Sequence, residues 1–335
     1  MKTATTTKKS NLEDNFFVGP LLRFFKANMG ILIGFIILFL IMSLTADNFA
    51  TTTNYVNVMR TVSTNCFLAI GVMMAIMLGG IDLTGGALIA LSGCATIVCL
   101  DRYAMPIAAA VIVGLLIGLV VGFANGVIIA YTGIHPFVVT LAMQSVCRGG
   151  AYLIANGQPV SIMNDNFTKL GNGFLGPIPL PVIYMAFFLF CAYLLLNKTK
   201  VGRHVFAVGG NPTAARFSGI DIKKVKILVW TLSGFLASFA GVVLASRMSS
   251  GQPAVGLGFE TDAIAASVLG GTSMYGGVGT VGGMFIGVLV IGCISNGLNL
   301  LHVNSYWQYV AKGGIILIAV YIDMYKTRKQ NSRKE

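Results

Sequence analysis

The chain has 335 residues, of which 56% are hydrophobic and only 10% are charged, and its mean hydropathy is +0.81. Soluble domains carry about a quarter charged residues, so this composition excludes a soluble globular protein and indicates a polytopic membrane protein. Spans of about 20 residues use up most of the length, which leaves no room for a soluble catalytic domain.

Apolar runs follow one another along the chain, and most are long enough for a membrane-crossing helix. We predict an all-α protein with ten crossings, at about 27–46, 63–78, 85–100, 105–131, 135–155, 177–196, 225–246, 262–271, 279–301 and 306–325. The run at 262–271 is short and broken by glycine. It is counted because the charge pattern requires an even number of crossings in the second half.

The basic residues are concentrated in three segments. Of the 23 Lys and Arg residues, five lie in 1–26, seven in 197–226 and five in 326–335. Cytoplasmic loops and tails carry such an excess, so we predict that these segments are cytoplasmic and that 27–325 forms the transmembrane domain. This distribution explains the net charge of +12, and no nucleic-acid partner is predicted.

The basic central loop contains a short predicted helix with signals at both ends. Asn211 suits the N-cap, Pro212 the first helical position and Gly219 the left-handed C-terminal cap, which predicts a helix over about 212–218. A helix of two turns gains little stability by itself in water, so we expect it to be held against the membrane domain or a partner. The loop alone leaves open whether this helix is a docking element or a plain connector.

Two halves of the chain share a pattern. Asn125 and Arg148 in the first half have counterparts at Asn296 and Lys312 in the second, each followed by glycine. Corresponding crossings are five apart, which gives the halves opposite orientations and predicts an inverted repeat. Such repeats surround a solute path near the membrane midplane, so the pattern favours transport. Chance similarity between glycine-rich apolar segments is the alternative.

Six polar side chains in the predicted crossings are candidates for a substrate path. They are Asn125, Gln144, Arg148, Asn296, Gln308 and Lys312. At 1.5 Å per residue, Arg148 lies about 20 Å along its helix from His135, and Lys312 about 9 Å from Tyr306. Ionisable groups at such depth face the bundle interior or extend to the surface, whereas amides have cross-helix hydrogen bonding as their alternative role.

Two aspartates precede apolar runs rich in glycine. Asp82 follows Gly79-Gly80-Ile81, and Asp262 follows Phe259-Glu260-Thr261. A carboxylate at a helix N-terminus accepts backbone N–H groups and faces the positive end of the helix dipole, so both residues are predicted to be structural caps. A solute or ion contact is the alternative.

The sequence contains no catalytic or metal-binding constellation. It has no Gly-Lys dipeptide of a phosphate-binding P-loop, and His135, His204 and His302 lack metal-ligand spacing. The six cysteines all lie in apolar runs without a Cys-x-x-Cys pair, so neither a disulfide nor a zinc site is expected. We therefore predict no cofactor and no enzymatic activity for this chain; if it uses ATP, a partner hydrolyses it.

Three motifs carry a resemblance to a known family. They are Gly79-Gly80-Ile81-Asp82-Leu83-Thr84, the run FAVGGNPTAARFSGI over 206–220, and 262–271 followed by Gly276-Gly277-Val278-Gly279-Thr280. Over about 30–323 the chain resembles the permease subunit of sugar-importing ABC transporters of the ribose, galactose and xylose type, relatives of branched-chain amino-acid permeases. The family pattern has Ser and Val where this chain has Thr84 and Gly85, which affects the fine geometry of that turn.

The resemblance implies a bacterial inner-membrane importer. Its parts would be two permease copies, identical or different, a cytoplasmic ATP-binding subunit that holds ATP and Mg²⁺, and an external solute-binding protein that delivers a monosaccharide. The motifs identify no particular sugar. A stand-alone secondary transporter or channel for a small polar solute is the alternative, although the sequence lacks the paired acids of ion coupling.

The resemblance also implies that the loop helix is the coupling helix that docks on the ATPase. Its residues are Asn211, Pro212, Ala214, Ala215, Arg216, Ser218 and Gly219. Ala214 and Ala215 are expected to be small enough for the helix to sit in a groove of the partner. Arg216 is expected to donate hydrogen bonds to a partner carboxylate or carbonyl.

Overall fold

The computed structural model describes residues 18–304, 306–314, 317 and 321, with side chains from residue 28 onward. The tail at 326–335 and the first 17 residues, for which cytoplasmic locations are predicted, lie outside the described residues. The helices are α1 (Val18–Thr45), α2 (Thr52–Met77), α3 (Gly85–Asp101), α4 (Ile107–Thr132), α5 (Pro136–Ile154), α6 (Asp165–Asn172), α7 (Leu180–Lys198), α8 (Lys200–Gly210), α9 (Pro212–Phe217), α10 (Ile222–Met248), α11 (Phe259–Leu269) and α12 (Val281–Leu300), and residues 306–314 are also helical.

Four two-residue strands lie between helices in the described part, and none was predicted. They are β1 (Val160–Ser161), β2 (Phe174–Leu175), β3 (Ile178–Pro179) and β4 (Ser250–Gly251). They pair antiparallel as β1 with β4 and β2 with β3. The first pair ties the segment after α5 to the end of α10.

Within the described residues, seven helices are long and apolar enough to cross a membrane, namely α1, α2, α4, α5, α7, α10 and α12. The apolar helix α3 is shorter, and α11 has only 11 residues. Large apolar side chains on α4, α5 and α7 are exposed, as expected of surfaces that face lipid or another membrane subunit. The chain is a polytopic helical membrane protein; the count of ten crossings and the inverted repeat stay predictions.

The helix α10 lies at the centre of the bundle and packs against α2, α3, α4 and α6. Its Trp230 is fully buried. Gly234 of α10 lies against Gly118 and Gly122 of α4 with no room for a Cβ atom. Small residues allow membrane helices to approach this closely, so the α4–α10 pair forms the tight core of the protein.

Contacts between loops define two opposite faces of the bundle. On one face the N–H of Gly277 donates to the carbonyl of Met77 at 2.8 Å, which brings the loop 270–280 to the end of α2. We call this the α9 face, because α8 and α9 lie there too. On the other face, called the α6 face, Arg60 near the start of α2 donates to the carbonyl of Asn172 at 2.9 Å.

Candidate functional site

The helix α9 confirms the helix predicted in the basic loop. The side chain of Asn211 accepts the N–H of Ala214 at 2.9 Å, and proline occupies the start of the helix. The helix ends at Phe217, one residue earlier than predicted, Ser218 is the C-cap, and Gly219 has the predicted left-handed conformation with φ of +80°. The short range of these interactions explains why the sequence alone predicted them.

The exposed surface of α9 differs from the expected one. Ala215 is buried against its own chain, so it does not lie on the exposed surface of α9, and docking of this helix in a groove of a partner stays a prediction. Ala214 and Arg216 are exposed. The next residue, Phe217, is 89% exposed and escaped the sequence analysis. A large apolar side chain in a polar loop outside the membrane-spanning helices was the available signal.

Charged groups surround the base of α9. Asp221 is the N-cap of α10 and accepts the N–H of Lys224 at 3.2 Å, while the two side chains form an ion pair at 3.3 Å. The backbone hydrogen bond from Lys224 and then its ammonium group lower the pKa of the Asp221 carboxyl. The ammonium of Lys223 lies 4.2 Å from the ring centre of Tyr131. These contacts tie the start of α10 together beside the exposed helix.

A second group of residues, which we call the membrane polar cluster, consists of Gln144, Arg148 and Glu260. The first two are four residues apart on α5 and share one face of that helix. Gln144 Nε2 donates to Glu260 Oε1 at 3.0 Å. Arg148 Nη1 donates to the carbonyls of Pro253 and Val255 at 2.6 and 2.7 Å. Glu260 Oε2 and Arg148 Nη2 are buried and have no hydrogen-bond partner among the residues that the structure describes.

Glu260 is the functional candidate that the sequence analysis missed. Its side chain lies in the first turn of α11 and the residue is 6% exposed. The missed signal was an acidic residue in an apolar region of a membrane protein, which is by default a functional candidate. Its partner Gln144 is 116 residues away in the sequence, so only the fold brings the two together.

Asp262 does not cap α11, which corrects the prediction. Gly258 is the N-cap in the left-handed conformation, with φ of +81°, so the helix begins before Asp262. The carboxylate of Asp262 instead pairs with the ammonium of Lys312, with Oδ2 and Nζ 2.7 Å apart. This ion pair joins α11 to the helical segment 306–314.

Asp82 lies in the turn before α3, and the N-cap of that helix is Thr84. Its Oδ1 accepts the N–H of Thr84 at 3.0 Å, and its Oδ2 accepts the hydroxyl of Ser233 on α10 at 2.6 Å. Asn125 on α4 donates to the Thr84 hydroxyl at 2.9 Å. The prediction that Asp82 caps α3 is therefore corrected. Its carboxylate accepts the N–H of Thr84, which precedes the helix, and connects this turn to α10 through Ser233.

The remaining two amides bind to other parts of the bundle. Asn296 on α12 exchanges two hydrogen bonds with Asn54 on α2, at 2.8 and 2.9 Å. Gln308 donates to Asn299 Oδ1 at 2.8 Å. Of the six path candidates, the structure therefore brings only Gln144 and Arg148 into one cluster. No group of three or more His, Cys, Asp or Glu side chains that could hold a metal ion occurs among the described residues.

The long apolar helices, the capped helix exposed on one face and the polar cluster between helices are those of a polytopic membrane protein. Residues 54–320 match the family described as the branched-chain amino acid transport system / permease component. The chain belongs to this family. Its members are permease components and not enzymes, and the ATPase of such a transporter is a separate subunit.

Curated relatives match almost the whole chain. The ribose import permease protein of Bacillus subtilis is 42% identical over 301 residues, which cover 89% of this chain and 93% of the relative. The L-arabinose ABC transporter permease protein of Azospirillum brasilense is 39% identical over 312 residues, or 91% and 90% of the two chains. The D-allose transport system permease protein of Escherichia coli is 38% identical over 281 residues, or 84% and 86%. No solved structure matches the chain.

Proposed function

We propose that this chain is the membrane permease subunit of an ATP-driven importer for a monosaccharide. The observation that carries the proposal is its similarity to permeases of ribose, arabinose and allose, at 38% to 42% identity over at least 84% of the chain. The relatives transport different sugars, so the similarity supports the substrate class and no single member of it.

The helix α9 is the element through which an ATP-binding subunit drives transport. Its support is an exposed, doubly capped helix that presents Arg216 and Phe217 to the outside. Aromatic residues and arginine are enriched at the buried cores of protein interfaces, so Phe217 supplies an apolar anchor and Arg216 supplies hydrogen-bond donors to the partner. ATP and Mg²⁺ belong to that partner. The α9 face and both termini are then cytoplasmic, in the inner membrane of a bacterium.

The membrane polar cluster provides hydrogen bonds to the sugar in transit. A sugar hydroxyl can donate to a carboxylate oxygen and accept from a guanidinium N–H. Within the described part of the chain, Glu260 Oε2 is an acceptor and Arg148 Nη2 a donor without a partner. Leaving such groups buried and unpaired costs about 1–3 kcal/mol each, which a passing hydroxyl group offsets. A solute-binding protein delivers the sugar at the α6 face, and a second permease copy completes the membrane domain.

Uptake by reconstituted proteoliposomes tests the function. The chain is purified with its ATP-binding partner and reconstituted, ATP is supplied on the α9 face, and labelled ribose, arabinose or allose is offered with the solute-binding protein on the α6 face. We expect uptake of at least one of these sugars that requires ATP and stops in a P-loop variant of the partner. Uptake by the permease alone, driven by a proton or sodium gradient, would refute the proposal and favour a stand-alone transporter.

A further inference from the structure

Three segments of backbone meet on the α9 face without intervening side chains. They are the last residues of α8, the loop after α11, and the end of α2. We call this contact, formed by Gly209, Gly276, Gly277 and the carbonyl of Met77, the glycine joint. The N–H of Gly277 donates to the Met77 carbonyl at 2.8 Å.

The steric environment of the joint requires glycine. A Cβ atom added to Gly209 would overlap the same Met77 carbonyl oxygen and lie 2.6 Å from the nitrogen of Gly277. A Cβ on Gly277, which has the left-handed φ of +71°, would lie 2.7 Å from the Cα of Gly210. Backbone atoms cannot move aside as the end of a flexible side chain does, so these segments touch as rigid bodies.

Neighbouring glycines show that the requirement is local. Gly210 follows directly in α8 and is exposed, and a Cβ on it would meet no described residue within 4 Å. Gly271 lies in the same loop as Gly277 and also has a left-handed φ, +85°, but it too has open space around it. Gly209 and Gly277 therefore each have a matched control in their own segment.

The joint connects the two parts of the candidate site. On one side α8 ends at Gly210 and continues through Asn211 into α9. On the other side the loop leads back to α11, whose opposite end carries Glu260 of the membrane polar cluster. The ten residue steps of α11 span about 15 Å at 1.5 Å per residue, so this short helix links the α9 face to the cluster.

We propose that the glycine joint transmits the movement of α8 and α9 to α11 during the transport cycle. The inference rests on the proposed docking of an ATPase at α9. Packed backbones without flexible side chains between them move together, and interfaces of this kind convert small local shifts into rigid-body displacements of helices. The joint makes Gly209 and Gly277 positioning residues that couple ATP hydrolysis to the membrane polar cluster.

The test compares Gly209→Ala with Gly210→Ala in the complete transporter in proteoliposomes. Alanine has a higher helix propensity than glycine at both positions, so this effect is common to the two variants. They differ because only the Cβ atom at position 209 clashes with the Met77 carbonyl. We expect Gly209→Ala to keep the ATPase bound but to lower sugar uptake per ATP hydrolysed by about tenfold, an effect typical of residues that couple two sites. We expect Gly210→Ala to match the wild type. Gly277→Ala against Gly271→Ala provides an independent pair.

If Gly209→Ala takes up as much sugar per ATP hydrolysed as the wild type, or if Gly209→Ala and Gly210→Ala lose equally, the glycine joint does not transmit the movement. Absence of ATPase binding in the wild type would instead contradict the docking proposal. A measurement on the unaltered protein covers the case in which Gly209→Ala does not fold. Hydrogen exchange of the loop 271–279 is compared with and without a non-hydrolysable ATP analogue, and an unchanged exchange rate would contradict transmission through this loop.

Discussion

The carboxylate of Asp262 and the ammonium group of Lys312 lie 2.7 Å apart, and their side chains are only 6% and 21% exposed. The pair joins the short helix α11, which contributes the negative charge, to the helical segment 306–314, which contributes the positive charge. Removing either partner leaves a charge in a region poor in water. Removing both leaves two neutral groups that can hydrogen-bond.

We therefore predict that Asp262→Asn and Lys312→Met each lower the free energy of unfolding by about 3 kcal/mol, whereas Asp262→Asn combined with Lys312→Gln loses clearly less. Thermal unfolding of the purified protein in detergent measures the three variants under one condition. Stability equal to wild type in both single variants would show that the pair is not energetically important.

Asn296 was a candidate for the substrate path, but its reciprocal hydrogen bonds with Asn54 indicate a structural role between α2 and α12. We predict that Asn296→Leu lowers stability by about 1 kcal/mol, because it removes two hydrogen bonds between membrane helices of about 0.6 kcal/mol each, while uptake by the folded protein stays near wild type. Unfolding and uptake are measured on the same preparation. A stable variant without uptake would return Asn296 to the path.

The contrast between α9 and the membrane polar cluster shows what the sequence can and cannot predict. Asn211 and Gly219 cap a helix through contacts within a few residues, so the pattern itself contains the information. Ala215 turns inward and Glu260 meets Gln144 only because distant helices pack together, which no local pattern records. The cap predicted at Asp262 failed because Gly258 adopts a left-handed conformation and starts the helix earlier.

Glu260 is predicted to contact the sugar. Glu260→Gln keeps the shape of the side chain and an oxygen that can accept from Gln144, but removes the negative charge next to Arg148. We expect uptake to fall by about tenfold, the effect of losing one charged hydrogen bond, while yield and ATPase binding are retained. Ser145→Ala on α5, beside Gln144, is the control, since among the described residues the Ser145 hydroxyl hydrogen-bonds only to the Leu141 carbonyl of its own helix. Unchanged uptake in Glu260→Gln would exclude the cluster from the path.

The two faces of the bundle are predicted to lie on opposite sides of the membrane. Thr213 in α9 and Met163 beside α6 are both exposed, so single cysteines at these positions are open to labelling. An impermeant maleimide added to intact cells should label Met163→Cys and should reach Thr213→Cys only after the membrane is permeabilised. The unmodified chain with its six native cysteines gives the background. The reverse pattern would invert the orientation.

Phe217 provides the sharpest test of ATPase docking, because its side chain is 89% exposed in the isolated chain. Truncating a side chain with so few contacts of its own should leave folding unchanged, whereas loss of an aromatic anchor from an interface costs about 2 kcal/mol or more of binding. We predict that Phe217→Ala purifies with the wild-type unfolding temperature but retains roughly a thirtieth of the affinity for the ATP-binding subunit.

Met163→Ala is the matched control, since Met163 is an equally exposed apolar residue on the α6 face. It should bind the ATP-binding subunit as the wild type does, because the partner docks on the opposite face. Titration of the labelled ATP-binding subunit against each variant in nanodiscs gives the two affinities directly. If Phe217→Ala binds like Met163→Ala and the wild type, α9 is a connector between α8 and α10, and the ATPase docks elsewhere or is absent.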